Sequence, residues 1–397
     1  MIELNPRTLT FTLQRTPRRR VALVTFNDEV VIYGDGTRAP LTIKDWALVD
    51  DEHIWKQALG YSVPHCIAET YQHLTQRVKE LRENGATALG PAALASVALA
   101  SKYPGSKVIL CTDGRANIGL GDMEQAQSSY SEAPYFYRKL ALQAVEKGVI
   151  ISVMSFKGTD CCLADIGRLA DVTGGSVNIV SIGTMATEIQ SISEDNVLAT
   201  GVTATLYFPY EDENNHKLVR EVGNVTKELE ITFQFASEIK HSSRNTLPFQ
   251  LQLSFKTRDQ QKVTRIITEQ RPVTTSSQIL LGRLNMAVLA VHCAQLCAGL
   301  TMEGHVTEAQ RQLAAQQDLL HHIRYYQHCQ TGSSEETTSS LTSEHGRFPS
   351  KPLNLQSLSD EAAEVVYQMK RARSIKSNYT APVQKKTLVR KKVMEAV

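Results

Sequence analysis

The stretch KVILCTDGRANIGLGD, residues 107–122, carries two features that bear on the fold. After its first lysine it is an unbroken apolar run, which is typical of a strand buried on both faces of a parallel sheet. Asp113 follows this run closely. Because ligands of open parallel sheets lie beyond the carboxyl ends of the strands, Asp113 is either a ligand residue or a side chain that caps the turn.

Strand and helix patterns alternate on both sides of this stretch. An Asn27–Asp28 turn between two short apolar runs predicts an antiparallel hairpin. Repeated strand–helix–strand patterns predict an α/β fold, with a largely parallel sheet, helices on both faces and the hairpin at one edge. The predicted strands are 20–27, 29–34, 107–111, 149–158 and SVNIV, and the predicted helices lie in CIAETYQHLTQRVKELRENG, LGPAALASVALAS, YFYRKLALQAVEKG and CLADIGRLADVTGG.

The pattern changes near residue 195, where the predicted α/β domain of residues 1–195 ends. Five segments then alternate apolar and polar residues between Asn, Asp and Gly turns, which predicts an antiparallel β-sandwich. They are VTATLYFPY, KLVREVGNV, LEITFQFASE, PFQLQLSFKT and VTRIITEQRPV. The remaining predicted regions are a sandwich to residue 275, helices over 276–330, a disordered linker over 331–357, and a short helix with a basic tail over 358–397.

Composition excludes several classes of protein. The chain has 397 residues, 42% of them hydrophobic, and a net charge of +2, which argues against a nucleic-acid-binding or membrane-binding chain as a whole. We find no apolar run of about 18 residues and no signal peptide. The seven cysteines form no C-x-x-C pair, and Cys161 and Cys162 are adjacent. We therefore expect a cytoplasmic protein with reduced thiols.

Two residues are candidate metal ligands. Thr87 lies in a glycine-flanked loop, NGATALGPAA, just before a predicted helix, and Asp113 ends a predicted strand. A hydroxyl and a carboxylate are hard oxygen donors that suit Mg²⁺. The alternative is that Asp113 caps its turn and Thr87 caps its helix.

Several of these segments resemble the von Willebrand factor A (vWA) domain, most closely the A-type domain of the circularly permutated Ras proteins. The matching segments include RRVALVTFNDEV, GATALGPAA, KVILCTDGRANIG and RLADVTGGSVNIV. The resemblance continues through EDNVLATGVTATL and LPFQLQLSF to about residue 325. A more distant likeness is to the trunk, β-sandwich and helical regions of the COPII inner-coat proteins. The resemblance implies a Rossmann-like domain followed by a sandwich and helices.

The resemblance also implies a divalent-ion site built from three loops. These loops supply a first-strand D-x-S-x-S, a threonine and an aspartate. Thr87 matches the threonine and Asp113 the aspartate, whereas D-x-S-x-S does not occur in the chain. We therefore expect a domain without its first strand, through truncation or replacement by TLTFTLQ. Intact relatives would bind Mg²⁺, but one carboxylate is too little charge for this chain to hold the ion alone.

We expect a non-enzymatic protein-interaction module with a degenerate metal-dependent site. The partner would present an acidic residue, and Arg115 and Asn117 would contact it. Two alternatives stay open, namely a coat-like scaffold in vesicle traffic and a GTPase-associated protein. Hydrolysis of GTP by this chain is not expected, because neither G-x-x-x-x-G-K-[ST] nor N-K-x-D occurs.

Other groups are weaker candidates. Cys293 and Cys297 lie four residues apart on a predicted helix beside His292 and could hold a metal, although buried structural cysteines are commoner. Three histidines near a helix end suit its dipole better than a zinc site. They are His321, His322 and His328. The basic tail is a candidate contact for acidic surfaces.

Overall fold

A computed structural model describes most of the chain outside the predicted linker and tail. The described residues are 14–82, 85–124, 133–194, 197–208, 216–227, 229–235, 246–257, 259–274, 276, 284–331 and 358–372. The predicted disordered linker, from residue 332 onward, and the basic tail beyond residue 372 lie outside them. The role of TLTFTLQ as a strand also falls on residues that, except for Gln14, are not described.

The first half alternates strands and helices, as the sequence predicts. Its elements are β1 (Leu23–Phe26), β2 (Val30–Gly34), β3 (Leu41–Ile43), α1 (Asp51–Gly60), α2 (Ile67–Glu80), α3 (Leu89–Ala100), β4 (Lys107–Thr112), α4 (Ala133–Glu146), β5 (Ile150–Phe156), α5 (Leu163–Thr173), β6 (Val177–Val180) and α6 (Met185–Glu194). Strands β4, β5 and β6 pair in parallel, which confirms the predicted α/β class.

The hairpin does not join the parallel sheet. The sequence places it at one edge of that sheet, but β1, β2 and β3 form a separate antiparallel sheet. Its turn is the predicted one, since the Asn27 N–H donates to the Glu29 carbonyl at 3.0 Å. Among the described residues, β1 and β4 therefore each have a strand neighbour on one side only.

Helix α3 packs against both sheets. Ten of its twelve residues are buried, and it contacts both β1 and β4. Its sequence, LGPAALASVALA, is apolar all round and rich in alanine, which suits a helix surrounded by protein. Gly90 is needed for close approach, because a Cβ there would lie 1.8 Å from the Leu120 carbonyl oxygen. The loop after β4 is therefore pressed against the first turn of α3.

The second half begins with an antiparallel sheet, as predicted. It contains β7 (Val197–Tyr207), β8 (Lys217–Thr226), β9 (Thr246–Lys256) and β10 (Lys262–Pro272), in the order β10-β9-β7-β8. A second layer of the predicted sandwich is not found among the residues that the structure describes. The predicted strand in LEITFQFASE is wrong over residues 229–235, which form no strand.

Side-chain contacts explain why residues 229–235 leave the sheet. The aromatic ring of Phe235 lies between Phe208 and Phe249, with centroids 4.8 and 5.3 Å away. Thr232 donates to the Gln295 amide oxygen at 3.0 Å. Gln295 belongs to the helical region, so this segment links that region to the sheet. Its alternation of apolar and polar residues reflects these two environments.

The helical region contains α7 (Met286–Met302) and α8 (Val306–Thr331), and α9 (Asp360–Lys370) is the predicted short helix. Helix α9 packs back onto the α/β half. The Tyr367 hydroxyl donates to the Ala164 carbonyl of α5 at 2.7 Å, and its ring lies against Gly167. The Lys370 ammonium pairs with Asp171 at 2.6 Å. The other side of α9 packs against buried residues of α7.

Asp360 caps α5 from the distant α9. Its carboxylate accepts from the N–H groups of Cys161 at 2.7 Å and Leu163 at 2.8 Å. Cys162, at the N-cap position of α5, supplies no side-chain cap. An exposed helix start would bond to water, but these amides are buried, so Asp360 supplies the acceptors that they need.

Replacing Asp360 with alanine should therefore destabilise the protein. The change Asp360→Ala leaves two buried amides without an acceptor, so we expect the free energy of unfolding to fall by ~1–3 kcal/mol. Urea denaturation measures the loss, and hydrogen exchange should rise at the start of α5. Glu361→Ala is the matched control, because Glu361 is the exposed neighbour in the same first turn. Equal losses in both variants would contradict the capping role.

Candidate functional site

The carboxyl ends of β1, β4 and β5 lie at one edge of the α/β half. We call the loops there the loop face: residues 27–29, 85–88, 113–124 and 157–162. The structure brings the two predicted ligand loops together, since a Cβ on Gly114 would lie 3.8 Å from the Thr87 hydroxyl oxygen. The loop of Thr87 and the loop of Asp113 are therefore adjacent, as the sequence implies.

Neither candidate ligand acts as a cap. Asp113 is exposed, and its carboxylate has no hydrogen-bond or ion-pair partner among the described residues. The turn is held instead by the Thr112 hydroxyl, which donates to the Gly114 carbonyl at 3.0 Å. The N-cap residue of α3 is Ala88, so Thr87 does not cap that helix. Both oxygen-bearing side chains therefore remain available for a contact from outside.

Asn117 holds Thr87 in place. Its amide oxygen accepts from the Thr87 N–H at 2.7 Å, and its own N–H donates to the Thr87 carbonyl at 3.2 Å. Both bonds involve the backbone of Thr87. Its hydroxyl has no hydrogen-bond partner among the described residues. Asn117, proposed from the sequence as a partner contact, is therefore a positioning residue in this geometry.

Arg115 pairs with a residue that the sequence analysis missed. Its guanidinium forms an ion pair with Asp160, and the two side chains are 45% and 61% exposed. The hydrogen bond from Arg115 lowers the pKa of Asp160, more than burial raises it. Asp160 lies four residues after the end of β5, whereas Asp113 directly follows β4. A search of the loops beyond the strand ends, and not only of the residues that directly follow them, could have found Asp160. The pair ties two loops of the loop face together at its surface.

The adjacent thiols do not form a reactive site. Cys161 is buried, and burial raises its pKa, although bonds from Ser155 and Thr159 oppose this. Burial likewise raises the pKa of the Cys162 thiol to about 11. Both side chains are thus protonated thiols near neutral pH rather than nucleophilic thiolates.

The residues present do not fit a self-sufficient Mg²⁺ site. Thr87 and Asp113 together offer one negative charge, whereas protein Mg²⁺ sites use one or two carboxylates and commonly phosphate oxygens as well. Across the described ranges, no group of three or more His, Cys, Asp or Glu side chains is placed to hold a metal ion. The donor set would need an acidic group from another molecule.

The weaker metal-ligand candidates on α7 lie in two separate environments. The thiols of Cys293 and Cys297 lie 3.7 Å apart in a buried cluster between α7 and α9. His292 instead points to the other side, with ring nitrogens 3.0 Å from the Thr232 hydroxyl and 3.1 Å from the Gln234 amide oxygen. His292 therefore does not join the two thiols in one ligand set, and Cys293 and Cys297 are buried, which is the alternative that the sequence favours.

The C-terminal histidines give no site in the described region. His322 contacts the Asp318 carbonyl at 2.9 Å, one turn earlier in α8. The side chain of His328 lies outside the described residues. None of the described helices is both long enough and apolar enough to cross a membrane.

The fold defines the class of protein: an A-type α/β domain followed by an antiparallel sheet and helices. No protein-family model matches the chain. It is 27% identical over 317 residues to circularly permutated Ras protein 1 of Dictyostelium discoideum, covering 77% of this chain and 37% of that protein. The resemblance inferred from the motifs is thus confirmed. The chain spans little more than a third of this relative's length.

Two solved structures are similar to the chain. Human Sec24c, a COPII-coat protein, is 14% identical with a TM-score of 0.59 over 83% of this chain and 49% of its own. A von Willebrand factor type A protein from Catenulispora acidiphila is also 14% identical, with a TM-score of 0.44 over 80% of this chain and 74% of its own. The α/β domain makes up about half of the chain, whereas the similarity to Sec24c covers 83% of the chain. The similarity therefore extends into the second half.

Removing the Asn117 side chain should loosen the loop face. In Asn117→Ala the partly buried Thr87 N–H loses its acceptor, so we expect the free energy of unfolding to fall by ~1–3 kcal/mol. Arg115→Ala is the control, because an exposed ion pair contributes about 1 kcal/mol or less. Chemical denaturation measures both, and hydrogen exchange at Thr87 should rise only in Asn117→Ala. A larger loss in Arg115→Ala would contradict this assignment.

Proposed function

We propose that this chain is a non-enzymatic protein-interaction module that binds its partner through the loop face. One observation carries the proposal. The Asp113 carboxylate and the Thr87 hydroxyl lie in adjacent loops, and neither has an internal hydrogen-bond partner among the described residues. By contrast, Asn117 is hydrogen-bonded to Thr87, and Arg115 forms an ion pair with Asp160. An interaction from outside would give the two unengaged groups their missing partners.

The partner presents an acidic residue. The guanidinium of Arg115 carries five N–H donors, and its bond to Asp160 uses only part of them. A partner carboxylate can therefore contact Arg115 from solvent while Asp160 holds the guanidinium in position. The same carboxylate would add the negative charge that Thr87 and Asp113 lack for a divalent ion. Metal binding is then a property of the complex and not of the chain alone.

The chemistry of the loop face favours binding over catalysis. The Cys161 and Cys162 thiols are held protonated by burial. The sequence contains no P-loop string to cradle a phosphate, although the relative in Dictyostelium is named a Ras protein. We therefore assign nucleotide hydrolysis to neither the loop face nor the rest of the chain. Reduced thiols favour a cytoplasmic location.

A coat-like scaffold is the second candidate function. The likeness to Sec24c covers 83% of this chain, so it includes the antiparallel sheet or the helices as well as the A-type domain. Helix α9 joins two of these regions by contacting both α5 and α7. A rigid assembly of three regions is what a scaffold needs. In this reading the loop face is one contact among several.

Mg²⁺ and Mn²⁺ should not bind the isolated chain. Isothermal titration calorimetry is expected to give no heat beyond dilution, because Thr87 and Asp113 together carry a single negative charge. A version with an added strand ending in D-x-S-x-S is the positive control and should bind. Tight binding of either ion by the chain as it stands would show that the count of ligands is wrong.

The loop face should be required for binding to a protein partner. Mg²⁺ is included in the assay, because the Asp113 carboxylate attracts an acidic partner only through a divalent ion. Arg115→Ala and Asp113→Ala should then each weaken retention of the same proteins from a cytosolic extract, and lower the affinity for the purified partner by about tenfold. Lys147→Ala and Glu146→Ala are the charge-matched controls. Both control residues are exposed at the opposite end of the sheet, before β5, and should leave binding unchanged.

Two results would contradict the proposal. One is equal loss of binding in the controls and the loop-face variants, which would place the contact elsewhere. The other is turnover of GTP by the purified chain that Asp113→Ala abolishes, because it would identify the loop face as a catalytic site. Self-assembly that survives all four substitutions would instead favour the scaffold.

A further inference from the structure

Strand β10 forms one outer edge of the antiparallel sheet. It pairs with β9 residue by residue from Lys262 to Pro272, without a bulge. Every residue of β10 is exposed, including the large apolar side chains of Val263, Ile266 and Ile267. This exposure, and not only the lack of a strand neighbour among the described residues, marks β10 as an open edge. A long, regular and partly apolar edge of this kind readily pairs with another strand.

The other outer edge of the sheet, β8, is protected. Its pairing with β7 is interrupted by register shifts, which make an edge irregular. Strand β8 also packs against the α/β half, where the Asn224 amide donates to the Val149 and Thr173 carbonyls, both at 3.1 Å. A Cβ on Gly223 would lie 2.8 Å from the Val172 carbonyl oxygen of α5. The two edges therefore differ, and β10 is the one that is regular and exposed.

The turn between β9 and β10 fixes which backbone groups of β10 point outward. The Thr257 N–H donates to the Gln261 carbonyl at 3.0 Å, so odd-numbered residues of β10 direct their backbone groups toward β9. Even-numbered residues direct theirs toward the open side. Pro272 is even-numbered, so its missing N–H costs no hydrogen bond to β9. The open side therefore presents the N–H and C=O groups of alternate residues along the strand.

A second copy of β10 matches this edge in an antiparallel arrangement. Even-numbered residues must face even-numbered residues, because only these direct their backbone groups outward. The register that pairs the strand over its full length places Ile267 opposite Ile267 of the second copy, on a two-fold axis. In that register Ile266 faces Thr268, and Thr264 faces Gln270. All of these facing residues are even-numbered, so the outward donors and acceptors of the two copies match.

The charges of β10 select the same register. With Ile267 on the axis, Arg265 of each copy faces Glu269 of the other, which gives two reciprocal ion pairs. Within one copy Arg271 lies 3.1 Å from the Glu269 carboxylate, which has further acceptor sites for a second guanidinium. Sliding one copy by two residues places Arg265 opposite Arg271, and sliding it the other way leaves no facing charges. Like charges directly opposite each other are destabilising, so the full-length register is favoured.

We propose that the chain forms a two-fold homodimer through β10, which joins the antiparallel sheets of two copies into one continuous sheet. The occupant of the edge is a second copy, because the strand supplies its own complementary charges at the required positions. Charges on an edge strand usually oppose pairing with other chains, but here they oppose only the wrong registers. The dimer goes beyond the loop face and fits the scaffold, the second candidate function, in which copies of the chain associate.

Charge reversal tests the pairing. Arg265→Glu makes two carboxylates face each other at each ion pair, and Glu269→Arg does the same with two guanidinium groups. Each variant alone should therefore dimerise about tenfold more weakly than the parent chain, or more weakly still. An equal mixture of the two variants should associate again, because each supplies the charge that the other lacks. Sedimentation velocity over a range of protein concentrations measures all four samples.

A control variant and hydrogen exchange locate the contact. Lys262→Glu reverses a charge on the same strand, but Lys262 faces the uncharged Pro272 of the other copy, so dimerisation should be unchanged. All three substituted side chains are exposed, and unchanged circular dichroism and Tm would confirm that each variant folds. As the concentration of the parent chain rises, exchange should slow at the Ile266 N–H, which points outward. It should stay unchanged at the Ile267 N–H, which points toward β9.

Several outcomes would overturn the proposal. They are a parent chain that stays monomeric up to about 100 μM, charge variants that dimerise as the parent chain does, and a mixture that fails to associate. Protection of the Ile266 N–H at every concentration would show that another segment of the same chain covers β10. Asp113→Ala should dimerise normally, and Arg265→Glu should keep the partners of the loop face. Failure of the dimer and failure of the loop face are therefore distinguishable.

Discussion

The burial of α3 is the constraint on which the rest of the structure depends. This alanine-rich helix packs between β1 and β4, and its small side chains let the backbone of neighbouring loops approach closely. The contact between Gly90 and Leu120 fixes the loop after β4, and Ala88 fixes the end of β1. The same helix therefore supports the loop face at its amino end.

The loop face offers side chains, namely an exposed carboxylate and a hydroxyl beside the Arg115–Asp160 pair. A charged surface of this kind discriminates between partners by electrostatic complementarity.

The sequence predicted much of this arrangement and missed the parts that depend on distant residues. The apolar run before Asp113 predicted a buried strand, and the Thr87 and Asp113 loops lie adjacent as their motifs imply. Asp160 was missed, because it lies four residues beyond the end of β5 and not directly after it. Residues 229–235 have a strand pattern, but their aromatic and polar contacts with other regions hold them outside the sheet.

The sequence by itself determined the class of fold, because strand and helix periodicities are local and survive without knowledge of their neighbours. It also determined that only one carboxylate of the expected metal site is present. Tertiary structure alone decided that Asn117 positions Thr87, that Arg115 is held by Asp160, and that Asp360 caps α5. Each of these contacts joins residues at least 30 positions apart, so no local pattern encodes it.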